Sequence, residues 1–229
     1  MRKKQQRFAD NAQCPHVIEP GKPSYHHMQG AWHTHYFHNS HPIVLELGCG
    51  QGAYTIGLAQ QQPEKNFIGV DVKGARLWAG RKLATVHKLP HVAFLRANIM
   101  HMDHFFAPHE VHAIYLPFPD PRPKGRDAKR RLTSPRFWDV YRNILQPGGN
   151  VYLKTDNMPL FLYTLEVLRD REDVQALSYT EDLYRSDFAT AHYGIQTDYE
   201  KRYLAQRIAI KYLQFSFSKS ADTKRPQDS

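Results

Sequence analysis

The run Ile43-Val44-Leu45-Glu46-Leu47-Gly48-Cys49-Gly50-Gln51-Gly52 decides the fold. A short apolar stretch gives way to alternate glycines, and residues 54–62 then carry apolar side chains at helical spacing. This succession predicts strand, turn and helix, the opening unit of a doubly wound α/β sheet. The glycines let a backbone approach a ligand closely, because no Cβ intrudes and a positive φ costs little.

Working outward, residues 66–71 read as a second strand, and residues 75–87 as a helix with Leu77, Trp78, Leu83 and Val86 on one stripe. Residues 91–96 and 111–116 give the third and fourth strands. Ser134 opens a helix with Pro135 at its first position, and Phe137, Val140, Tyr141 and Ile144 supply its apolar face. Pro147-Gly148-Gly149 closes it. Residues 150–154 form a fifth strand, 159–169 a helix, 174–179 a sixth strand and 208–217 a seventh. Strands alternating with helices require a parallel sheet covered on both faces. The last strand, with no long helical pattern before it, is expected to run antiparallel. The reading is therefore an α/β, Rossmann-like, doubly wound sheet of seven strands. Residues 1–41 read as a basic, histidine-rich arm with an irregular lead-in, 42–217 as the folded domain, and 218–229 as a polar tail.

Composition bounds the function. A chain of 229 residues, 41% hydrophobic and 23% charged, suits one globular domain. No apolar run approaches the length of a membrane span, and the basic start Met1-Arg2-Lys3-Lys4 stays polar through Gln13, so no signal peptide is expected. Cys14 and Cys49 are the only cysteines, which suggests neither a disulfide framework nor a cysteine zinc site and fits a reducing cytoplasm. Six of the fourteen histidines lie between His26 and His41, but their spacing is irregular and no carboxylate or cysteine accompanies them, so no metal is expected. The formal charge is +9, with Lys124, Arg126, Lys129, Arg130 and Arg131 close together. Such a block attracts polyanions, a nucleic acid above all, although a solvated charged face has the same composition.

Asp71 ends the second strand, placed to accept hydrogen bonds from ribose hydroxyls. The glycine spacing alone also admits NAD, since Ala53 satisfies the relaxed third position of the dinucleotide fingerprint. Glu46 argues otherwise. A carboxylate two residues before the first glycine suits a cationic ligand better than a pyrophosphate, and S-adenosylmethionine carries both an ammonium and a sulfonium. The segment resembles the class I methyltransferases, and the chain lacks the length for the separate substrate domain of many dehydrogenases. Asn98, after the third strand, is placed either to meet the adenine edge or simply to make a turn. Cys49 needs no role beyond its small size.

After the fourth strand comes Leu116-Pro117-Phe118-Pro119-Asp120-Pro121-Arg122-Pro123-Lys124, at the carboxyl end of the sheet. Four prolines stiffen this loop, which would hold the Asp120 carboxylate at fixed geometry. A plain connector with a turn aspartate is the simpler alternative. Adenine amino-methyltransferases place Pro and an aromatic after the acid, and Arg122 and Pro123 here disfavour that class.

The run Phe118-Pro119-Asp120-Pro121, then Lys124 and Lys129-Arg130-Arg131, resembles the signature of the tRNA (guanine-N7-)-methyltransferase family. The similarity extends over residues 44–213 and includes Glu46 with its glycines, Asp71, Thr155-Asp156, and Thr197-Asp198-Tyr199-Glu200. Departures are Asn98, where some members have Asp, and Arg122, where Trp is common. The resemblance implies methyl transfer from S-adenosylmethionine to N7 of guanine 46, in the variable loop of tRNA, by a cytoplasmic monomer or homodimer. It implies cofactor contacts from Glu46, Gly48, Gly50, Gly52, Asp71, Asn98 and Asp120, with Asp120 also the catalytic acid. Substrate contacts would come from Lys124, Arg126, Lys129, Arg130, Arg131, Asp156, Thr197, Asp198, Tyr199 and Glu200.

Guanine N7 has an in-plane lone pair and no proton to lose, so positioning and electrostatics suffice without a strong base. Asp120, Asp156 and Glu200 are the acids expected to steady the cationic purine or to grip its N1 and N2 donors. The basic block, and with it the arm carrying Arg2, Lys3, Lys4 and Arg7 unless that is a solvated tail, would hold phosphates. Trp78 and Trp138 read as core, whereas Tyr193 and Tyr199 suit either loop packing or base stacking. A nucleotide-cofactor oxidoreductase and a non-catalytic RNA-binding subunit remain the competing classes.

Overall fold

Residues 3–218 are described by the computed structural model. In chain order they form α1 (Lys3–Gln13), β1 (Val17–Ile18), β2 (Ile43–Leu47), α2 (Ala53–Gln61), β3 (Asn66–Val70), α3 (Gly74–Val86) and β4 (Val92–Leu95). Then follow β5 (Val111–Pro117), α4 (Pro135–Ile144), β6 (Leu145–Thr155), α5 (Met158–Arg169), β7 (Val174–Thr180), α6 (Asp198–Ala205) and β8 (Lys211–Phe217). The sheet runs β1-β4-β3-β2-β5-β6-β8-β7. Every pairing up to β6 is parallel, and β8 runs antiparallel to both of its neighbours. From β2 the chain first builds outward through β3 and β4, then crosses to β5 on the other side. That reversal opens a crevice at the carboxyl ends of β2 and β5, where doubly wound sheets bind their ligands.

The inner strands read as apolar runs because both faces are covered: every residue of β2, β3 and β4 is buried. Trp138 of α4 is fully buried and meets Phe215 of β8 edge-on at 5.4 Å, as its helical spacing suggested.

Several sequence expectations change. Among the described residues the sheet has eight strands and not seven, because Val17 and Ile18 pair with Phe94 and Leu95 at its edge. Two residues carry no periodic signal. The expected irregular lead-in contains α1, which packs on α3: Trp78 donates its indole N–H to Asp10 at 2.7 Å and lies beneath the Arg7 guanidinium at 5.1 Å. Buried Asn11 donates to the Gly74 carbonyl at 2.7 Å. The histidine-rich segment hangs on the core through Trp32, whose ring stacks on Phe106 at 5.4 Å and whose N–H reaches the Phe105 carbonyl at 2.8 Å.

The stripe assigned to α3 holds only at Leu77: Leu83 and Val86 are exposed, Trp78 is half-buried beneath α1 and not core as expected, and the buried side is Gly74, Leu77, Gly80 and Ala84. The reason is a close approach. A Cβ on Gly80 would lie 2.5 Å from the Phe94 ring and 2.9 Å from the Gln51 carbonyl oxygen, so this helix face must be small. Pro147-Gly148-Gly149 lies inside β6, at a register shift against β5, and does not end an element. An unanticipated helix, α6, covers the end of the sheet before β8. Of the proposed tail, residues 219–229 lie outside the described residues.

Candidate active site

The glycine loop is held from beneath by strand backbone: Gly48 N–H and Cys49 N–H donate to the Val70 carbonyl at 2.8 and 3.0 Å. Gly48, Gly50 and Gly52 have φ of 80°, 55° and 73°, which a residue with a Cβ adopts only under strain. At Gly52 a Cβ would also stand 2.5 Å from the Phe94 ring.

Asp71 fastens this loop. Its Oδ2 accepts from Gly50 N–H at 3.0 Å and its Oδ1 from Lys73 N–H at 2.7 Å. Each oxygen keeps a further lone pair for a ligand hydroxyl. Glu46 lies deeper, in β2, and its Oε2 accepts from both the backbone N–H, at 2.7 Å, and the hydroxyl of Thr55. Its Oε1 takes no hydrogen bond from the described residues. Burial pushes the Glu46 carboxyl up to about 8, against the opposing pull of Thr55 and with the Asp71 charge adding to the rise. Burial likewise raises the Cys49 thiol, with Glu46 and Asp71 contributing, so it stays protonated and inert.

Above the loop opens a cavity of about 710 Å³. Gly48, Asp71, Asn98, Asp120, Arg130, Asp156 and Tyr199 all line it, so the fold brings together residues separated by as many as 151 positions. Asn98 caps a short 3-10 segment, its Oδ1 accepting from Met100 N–H at 3.1 Å, and its amide NH2 remains available beside Ala97, Ile99 and Met100. The proline loop presents Asp120 with its side chain 68% exposed, braced by Arg122: backbone N–H to Oδ1 at 3.1 Å, guanidinium to Oδ2 at 3.9 Å. Phe118 and Arg122, on either side of Asp120, have φ of 53° and 42°, so the loop is wound tightly around the acid.

Other expected site residues stand elsewhere. Glu46, Gly50 and Gly52 shape the cavity from below without lining it. Lys124, Arg126 and Lys129 are exposed on and beside a 3-10 turn, residues 125–130, at the cavity mouth. Arg131 is engaged in holding the loop: it donates to the Pro121 and Arg122 carbonyls at 3.1 and 3.2 Å and covers Tyr163 at 4.3 Å. Thr197 caps α6, accepting from Glu200 N–H at 3.1 Å, and Asp198 points to solvent, 3.8 Å from Lys201. Glu200 does not face the cavity. It is fully buried against Lys154 at 2.7 Å, because the turn that exposes Tyr199 carries the next side chain inward. The sequence reading missed Lys73, Arg76, Phe118, Arg136 and Lys154. A position two residues after the strand-end acid was the available signal for Lys73, and none marked Lys154.

The residues present fit S-adenosylmethionine. An acid anchored at the end of β3 offers free lone pairs to a ribose, an amide beside apolar side chains suits an adenine, and the buried Glu46 carboxylate suits a cation. Residues 40–213 match the family model described as a putative methyltransferase. The chain is 46% identical over 217 residues to a tRNA (guanine-N(7)-)-methyltransferase of Cytophaga hutchinsonii, covering 94% of this chain and 98% of that protein. It is 44% identical to the same-named protein of Porphyromonas gingivalis, over 89% and 82% of the two chains.

The chain belongs to the tRNA (guanine-N(7)-)-methyltransferase family.

Solved structures agree at the level of fold. The 16S rRNA methyltransferase KamB has a TM-score of 0.56 at 16% identity, with 78% of this chain and 88% of that one covered. A 16S rRNA methyltransferase from Catenulisporales acidiphilia, solved with the cosubstrate SAM, gives 0.52 at 14% identity over 82% and 90%. A class I methyltransferase sheet is thus the scaffold on which this family member sets its proline loop and α6. Among the described residues no helix is long and apolar enough to cross a membrane, and no group of three or more His, Cys, Asp or Glu could hold a metal ion.

Proposed function

We propose that this protein methylates N7 of a guanine in tRNA, at position 46 of the variable loop, with S-adenosylmethionine as donor. The observation that carries the reading is one shared cavity, lined by Asp71 and Gly48 at the ends of β3 and β2 and by Asp120 and Asp156 after β5 and β6. The donor supplies an electrophilic methyl group on a sulfonium.

The protein's own groups do the rest by placement. N7 already presents its lone pair, so no residue has to remove a proton. Asp120, fixed by Arg122 and by the two strained turns beside it, supplies negative charge where the purine becomes cationic. Asp156, lining the same cavity, accepts from the N1 and N2 donors of the base. Asp71 and Asn98 orient the donor, and Glu46 steadies its positive charge from below. Arg130 at the rim, with exposed Lys124, Arg126 and Lys129 beside it, grips the RNA backbone. Residues 42–217 form the catalytic unit, which works in the cytoplasm as a monomer or homodimer.

The test is direct. Purified protein is incubated with unmodified tRNA and tritiated S-adenosylmethionine, and the product is reduced and treated with aniline. Cleavage at guanine 46 is expected. Label without such cleavage, or label at another nucleotide, overturns the assignment.

A further inference from the structure

The first turn of α6 sends two consecutive side chains in opposite directions. Tyr199 lines the cavity, 41% exposed, while Glu200 is fully buried. Inside, the Glu200 oxygens accept from the Lys154 ammonium at 2.7 and 2.9 Å, and the Tyr184 hydroxyl donates to Oε1 at 2.7 Å. The same ammonium reaches the Ile195 carbonyl at 3.4 Å and lies over the rings of Tyr54 and Phe118 at 5.2 and 5.9 Å. Lys154 also acts through its backbone, where its carbonyl accepts from Phe118 N–H at 2.7 Å. Phe118 is the residue whose left-handed turn launches the Asp120 loop. One residue of β6 therefore fixes both α6 and the start of that loop.

We infer that Lys154 is a positioning residue for the methyl transfer, setting Tyr199 and Phe118 as the aromatic walls that receive the target guanine, with Glu200 acting through Lys154 and not on the base. The inference rests on the function proposed above. The two rings stand 5.3 Å apart and tilted, at the cavity rim beside Asp120 and Asp156. Exposed aromatic faces are what unstacked bases bind, whatever else reads their edges. Glu200, by contrast, has no exposed surface, and three of its acceptor directions are taken by Lys154 and Tyr184. A guanine ligand in that state would have to leave its partner uncompensated.

A mutant cycle separates the two roles. Removing one member of a buried ion pair strands the other charge, whereas replacing both with neutral groups of similar volume is close to neutral. Lys154→Met and Glu200→Gln should each lower kcat/KM on tRNA by about tenfold or more, and the double variant should recover at least about tenfold over Glu200→Gln. Cofactor dissociation, measured in parallel, should stay within about threefold throughout. A double variant that is folded, binds cofactor and is as inactive as Glu200→Gln makes Glu200 a direct ligand and overturns the inference. Should the double variant not fold, the exposed ring decides. Tyr199→Ala should lower kcat/KM on tRNA about tenfold or more with cofactor affinity kept, and Tyr199→Phe should retain activity; full activity of Tyr199→Ala overturns the inference equally. Wild-type protein that binds cofactor yet leaves tRNA unmethylated sinks the functional reading itself, which an active wild type with an unrescued double variant does not.

Discussion

Replacing Glu46 by Gln should stabilise the cofactor-free protein while weakening its hold on the cofactor. Burial raises the carboxyl from an ordinary 4.5 to about 8, so near neutral pH the folded chain binds a proton that the unfolded chain has released. A raised acid stabilises the fold below 4.5, loses that contribution as pH climbs, and is flat above about 8. At pH 7 the accumulated cost is about 3 kcal/mol, taking about 1.4 kcal/mol per pH unit. Glutamine avoids it, and its carbonyl can still accept from Thr55 N–H and Oγ. Its NH2 replaces an oxygen with no donor, so a net gain of about 1–3 kcal/mol is expected. Urea denaturation of both proteins from pH 5 to 9 should show the difference growing with pH and levelling near 8. Calorimetry on the wild type should show S-adenosylmethionine binding tighten over the same interval, as the cation favours the ionised carboxylate, and Glu46→Gln should bind more weakly with that pH dependence gone. Equal or lower stability of Glu46→Gln at pH 8.5, or a difference independent of pH, refutes the reasoning.

Asp120→Asn should cut kcat/KM on tRNA by about tenfold or more, about 1.4 kcal/mol of transition-state stabilisation, with the fold intact by circular dichroism; unchanged turnover removes Asp120 from the chemistry. If Lys124, Arg126, Lys129 and Arg130 neutralise phosphates, the tRNA association constant should fall with a log-log salt slope of about −3 to −4, and a flat slope in filter binding removes them from the interface. Gly80→Ala should destabilise by about 1–3 kcal/mol in thermal melts, because contact with Phe94 and the Gln51 carbonyl outweighs the helix propensity gained. A stabilised variant would mean that α3 can move away. Asn11→Ala leaves the Gly74 carbonyl without its side-chain donor and should cost about 1–3 kcal/mol in urea, and no loss would show that α1 docks without it.

The central strands, the glycine loop and Asp71 were legible in the amino-acid sequence because their signals are local. A fully buried strand must be apolar over its whole length, and a backbone at positive φ selects glycine, so both properties are written in adjacent residues. Asp120 was legible for the same reason, since prolines announce their own stiffness. Only the tertiary structure could decide what polar residues do. α1 carries no run of apolar residues, with Phe8 its one large apolar side chain, and is held by covering Trp78, a residue 68 positions from its Asp10 partner. Arg131 looked like its basic neighbours until the loop carbonyls closed around it. Glu200, read beside exposed tyrosines, resembled a ligand, yet its partner lies 46 residues earlier on another element. Which charge meets water and which meets its counter-ion is fixed by contacts between distant segments, and no spacing along a chain encodes that choice.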